Sequence, residues 1–83
     1  MRNIVGPRIH QARKMAKPPI TQMDLVARLQ VAGLKIDQSA VSKIEKGIRP
    51  VLDVEIVALA KALGVSTAWL LGESDTPISI ARA

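Results

Sequence analysis

Cysteine, phenylalanine and tyrosine are missing from this chain of 83 residues, and histidine and tryptophan occur once each. Without cysteine there is no disulfide framework, no thiolate chemistry and no zinc site with sulfur ligands, and a single histidine excludes the usual multi-histidine metal centres. No metal and no cofactor is therefore expected. Hydrophobic residues make up 48% of the chain with almost no aromatic share, so the core must be aliphatic, built from Leu, Ile, Val, Ala and Met. No apolar run approaches the roughly 18 residues needed to cross a bilayer, and the opening MRNIVGPRIHQARK lacks the continuous apolar stretch of a secretory signal. No membrane role and a cytoplasmic location are expected. The length suits one small domain.

What is present is basic charge, unevenly spread. Residues 1–50 hold ten Lys and Arg against three acids, while residues 51–83 hold two against four. One end of the chain is suited to a polyanion and the other is not. Proline and glycine divide the chain into five helical segments and a tail, with no persistent alternating strand pattern. Ile9, Ala12, Arg13 and Ala16 share one stripe of a first helix that Pro18-Pro19 must end. Thr21 with Asp24 reads as a capping box, so a second helix starts at Gln22, gathers Leu25, Val26, Leu29 and Ala32 on one face, and leaves through Gly33. Asp37 reads as the cap of a third helix. A fourth begins after Asp53 with Ile56, Leu59, Ala60 and Leu63 at core spacing, and Ser66 caps a short fifth that ends by Gly72 with Trp69 as its core plug. Val54 and Val57 fall off the core stripe of the fourth helix and suggest a second apolar surface.

The third helix carries most of the chemistry. Advancing about 100° per residue gathers Gln38, Ser39, Ser42, Lys43 and Lys46 within one arc of about 140°, and puts Ala40, Val41 and Ile44 on the other side. Such a helix can be clamped to a core while it offers amides, hydroxyls and ammonium groups outward. A major-groove reader needs that: amides pair with adenine, Lys reaches guanine acceptors, and short Ser allows close approach. An ordinary surface helix would show the same polarity.

The stretch TQMDLVARLQVAGLKIDQSAVSKIEKG, followed by VEIVALAKALGVSTAWLLG, resembles the lambda repressor and Cro-like family of helix-turn-helix regulators, also called Xre-type. The resemblance covers residues 3–72. It implies an all-α, compact five-helix DNA-binding domain over residues 1–72, with residues 73–83 as a C-terminal tail for dimer or partner contact. By position in the motif, Gln38, Ser39, Ser42 and Lys43 would read bases. Thr21 and Gln22 would sit beside a phosphate at a helix N-terminus, and Lys46 and Arg49 would meet the backbone on the far side of the recognition helix. The family commonly pairs the glutamate at Glu45 with an arginine of the first helix, here Arg13, as a structural ion pair.

The chain departs from the family pattern between its second and third helices, where about five additional residues around Val31-Ala32-Gly33-Leu34-Lys35 extend the turn. The second helix is expected to run a turn longer, with Leu34 and Ile36 plugging the connection into the core. The Lys17-Pro18-Pro19 connection is also long. His10 has no acid or nucleophile near it in sequence and reads as a surface residue, so no enzymatic role is expected. Ile78 and Ile80 read as a loose tail or part of a dimer contact. The leading expectation is a sequence-specific regulator of double-stranded DNA, a homodimeric repressor. The alternative is an antitoxin-type module that holds a protein partner through its less basic half and uses DNA for autoregulation.

Overall fold

Most helices in this chain begin where a short polar side chain can take up free amides, and the computed structural model, which describes residues 1–77, shows which side chains do so. Helix α2 (Gln22–Val31) opens on a capping box: the Thr21 hydroxyl accepts from the Asp24 amide at 3.0 Å, and Asp24 accepts the Thr21 amide at 3.1 Å. These bonds hold the Asp24 carboxyl below its ordinary range. Asp37 opens α3 (Gln38–Glu45) by accepting the Ala40 amide at 2.8 Å, and Ser66 opens α5 (Thr67–Leu70) by accepting the Trp69 amide at 3.0 Å. At α1 (Gly6–Met15) the Asn3 side chain takes the Gly6 amide at 2.8 Å, and Pro7 has no amide to satisfy. Helix α4 (Asp53–Leu63) includes Asp53 itself, because Glu55 supplies the cap by accepting the Leu52 amide at 2.9 Å. No strand is found among the described residues.

The connection from α2 to α3 is built to be long. Gly33 adopts φ +94°, open only to glycine at low cost, and the Leu34 amide returns to the Leu29 carbonyl at 2.9 Å, a left-handed helix ending. The chain then runs inward: Leu34 is half-buried against the core and Ile36 is 4% exposed. The additional residues therefore anchor the N-terminus of α3 instead of looping into solvent.

Ile9 of α1, Leu25 and Leu29 of α2, Val41 and Ile44 of α3, Leu59 of α4 and Leu70 of α5 are all essentially inaccessible and share one core. Full burial of each such side chain is worth about 1.5–3 kcal/mol, so an aliphatic core can carry a chain without staples. Trp69 is buried beneath the Arg8 guanidinium, which lies 4.6 Å from the ring centroid. Ile56, expected inside, is only half-buried, whereas its neighbour Glu55 is buried, drawn in by Arg49. Val54 and Val57 are exposed beside Val31 and Ala58 on the α2–α4 side. The described part of the tail folds back: Pro77 accepts the Ser66 amide at 2.7 Å, and Arg8 donates to the Ser74 carbonyl at 3.3 Å. Ile78 and Ile80 lie outside the described residues.

Candidate nucleic-acid interface

With Val41 and Ile44 locked in the core, the remaining face of α3 must point outward. Gln38, Ser39 and Lys43 are exposed there and Ser42 is half-buried. This polar ridge is flanked on both sides. One cleft is lined by Pro7, His10, Gln22, Ser42, Glu45 and Lys46, and another by Asp37, Ser39, Lys43, Arg49 and neighbouring loop residues. Lys46 thus shares a wall with Gln22, on the near flank. The resemblance implies a place with Arg49 on the far side, but Lys46 follows Ser42 by one turn in right-handed helical conformation and so lines the same cleft as Ser42.

Behind the near cleft sits a hydrogen-bonded network that fixes three helices together. Arg13 donates through Nε to Glu45 Oε2 at 2.6 Å and through Nη2 to Oε1 at 2.8 Å, with both side chains 7% exposed. Its remaining nitrogen, Nη1, donates to the Ile20 carbonyl at 3.0 Å and so holds the α1–α2 connection. Burial pushes the Glu45 carboxyl up, but hydrogen bonds from Arg13, Gln22 and His10 outweigh it, and the group lies below the ordinary glutamate range. Gln22 donates to Glu45 Oε1 at 3.2 Å, and Gln38 reaches Gln22 Oε1 at 3.5 Å, the outer limit of such a bond. The first residue of α3 is thereby linked to the first residue of α2.

Thr21 is exposed at the mouth of α2, where its hydroxyl is already engaged by Asp24. Arg49, expected at a phosphate, has its guanidinium on Glu55 through Nη1 at 3.0 Å and Nη2 at 3.2 Å. That bond is the first cause of the lowered Glu55 carboxyl. Of the two cations that line the far cleft, Lys43 and Arg49, the second is therefore matched within the chain.

Sequence reasoning missed two positioning groups. Asn3 donates to the carbonyls of Ile44 at 3.1 Å and Arg49 at 2.8 Å, strapping the start of α1 across the end of α3. Gly6 permits this approach, since a Cβ there would strike the Ile44 carbonyl oxygen. The signal was available in Asn-x-x-Gly-Pro, an Asn placed to cap a helix that opens with proline. His10 has no acidic neighbour in sequence, yet its Nδ1 lies 3.2 Å from Glu45 Oε1, a contact that no local pattern announces.

A helix-turn-helix family model matches residues 30–70, from the last residues of α2 through α5. No curated protein matches the chain. Among the described residues no helix is long and apolar enough to cross a membrane, and no group of His, Asp and Glu is placed to hold a metal ion.

Proposed function

Because the chain belongs to the lambda repressor/Cro-like helix-turn-helix family, we propose that it is a sequence-specific regulator of double-stranded DNA that lays α3 in the major groove. The observation that carries this reading is the ridge of Gln38, Ser39, Ser42 and Lys43 standing between two clefts that hold cationic side chains. Base edges would meet the ridge, and the two sugar-phosphate strands bounding the groove would meet the clefts. In the near cleft Gln22 and Lys46 are the phosphate contacts, with Thr21 at its edge. Arg49 contributes less, since Glu55 holds it. The protein would act in the cytoplasm as a homodimeric repressor, its residues 1–72 forming the DNA-binding domain and its two α3 helices spaced about 34 Å apart on an inverted repeat.

Selection from a random duplex pool at physiological salt is the test. It should return an inverted repeat with half-sites about one helical turn apart. Gln38→Ala should then lose about 1–3 kcal/mol on the selected site alone. A pool that stays random, or equal losses on every duplex, would reject the reading.

A second use of the molecule is favoured by Leu52, Val54 and Val57, large apolar side chains exposed on the less basic half. An antitoxin-type module would hold its protein partner there and on the tail. Deleting residues 73–83 should then abolish partner capture and leave monomer affinity for DNA unchanged; loss of both together would count against this division of labour.

A further inference from the structure

The near cleft holds one group that the proposed DNA contacts do not use. Glu45 forms the floor of the cleft, its charge matched by Arg13. Gln22 Nε2 and His10 Nδ1 both reach the same oxygen, Oε1, at 3.2 Å. The imidazole and the amide therefore stand side by side on one carboxylate atom, while about half of the His10 side chain, 53%, remains exposed. Nδ1 also lies 3.2 Å from Arg13 Nη2, which can only donate. A neutral ring that accepts from Arg13 carries its proton on Nε2. A protonated ring that donates to Glu45 carries a proton on Nε2 as well. A neutral ring that instead donates from Nδ1 to Glu45 leaves Nε2 bare, and protonation then puts an N–H on the open side of the ring, next to the groups placed at the phosphate.

We infer that His10 is a ligand of the DNA backbone phosphate in this cleft, and that duplex binding takes up a proton at its imidazole. This rests on the DNA-binding reading and adds a pH dependence to it. In the free protein the charges facing the ring oppose one another. Glu45 of α3 is the anion facing the ring, and Arg13 of α1, Lys14 one turn further along α1 and Lys46 just after α3 are the cations. Gln22 of α2 is uncharged. A phosphate brought against the cleft adds a second anion and tips the balance to the charged ring. The linkage sign follows: the bound state holds more protons, so affinity rises as pH falls through the histidine range. His10 is the chain's one histidine and there is no cysteine, so no other side chain ordinarily titrates there.

The experiment is fluorescence anisotropy of the intact protein with a labelled duplex carrying the selected operator, at fixed salt, between about pH 8 and pH 6. Wild-type affinity should rise about five- to tenfold across that span. His10→Gln should stay near the wild-type value of the alkaline end throughout, and His10→Arg near that of the acid end. A terminal amine contributes equally to all three. The wild-type salt slope should also steepen by about one counterion per protomer on acidification, a measurement that needs no variant. A flat wild-type profile, or a His10→Gln variant that keeps the rise, overturns the assignment while leaving DNA binding intact. A wild type that binds no duplex at either pH overturns both.

Discussion

Two arginine–glutamate pairs brace the reading helix, and they differ in burial far more than in chemistry. Arg13–Glu45 has both side chains 7% exposed, whereas Arg49–Glu55 has 31% and 9%. Each is a two-nitrogen fork on a carboxylate. The inner pair joins α1 to α3, and through Gln22 to the first residue of α2, so the geometry of the ridge and its near cleft depends on it. The outer pair joins only the loop after α3 to the cap of α4, where Glu55 also serves the Leu52 amide. Water can replace a partner at the outer pair; at the inner one a lost partner strands a charge in a low-dielectric interior.

The sharpest way to break this comparison is Glu45→Ala. It leaves Arg13 buried without its anion and should cost about 3–5 kcal/mol, read as a large fall in melting temperature with DNA binding lost alongside. An unchanged melting temperature would remove Glu45 from the framework. Glu55→Ala should cost less, about 1–2 kcal/mol, because Arg49 gains solvent and only one helix cap is lost. Equal costs for the two variants would erase the distinction.

Acid titration of stability sharpens it further. Both carboxyls lie below their ordinary range in the folded chain, so each contributes stability that is complete above the unfolded glutamate value, about 4.3, and is lost as pH falls below it towards the folded value. Denaturant melts in this acid window should show the loss, and Glu45→Gln should remove more of it than Glu55→Gln. The smallest effect concerns phosphate contact. Lys46→Ala should lower the salt slope of duplex binding by about one, and Arg49→Ala by clearly less, because Glu55 already offsets that charge. A larger change at Arg49 would mean that DNA displaces the outer pair.

Much of this was legible before any coordinate. Thr21, Asp37 and Ser66 announced three helix starts, and the polar arc of α3 was visible from its spacing, because caps and faces depend on residues within a turn of one another. Leu34 and Ile36 could be read as plugs from their apolar character in an otherwise open connection. Arg13 as partner of Glu45 came from family resemblance, not from spacing, and Arg49–Glu55 came from neither. Ile56, expected in the core, is only half-buried while Glu55 beside it is buried against Arg49, a pairing that hydrophobic periodicity does not contain.

By itself the amino-acid order determined where helices stop and start, which side of each is greasy, and that one basic half offers amides and hydroxyls outward. Only the tertiary structure decided which of those groups converge. Asn3 meets Arg49, Arg13 meets Glu45 and His10 meets Glu45 across 32 to 46 positions of chain. The reason is range: a cap or a helical face is set by backbone hydrogen bonds over four residues, whereas an ion pair or a shared cleft needs atoms within about 3–4 Å in a dry environment. Packing of the whole core is what creates that environment.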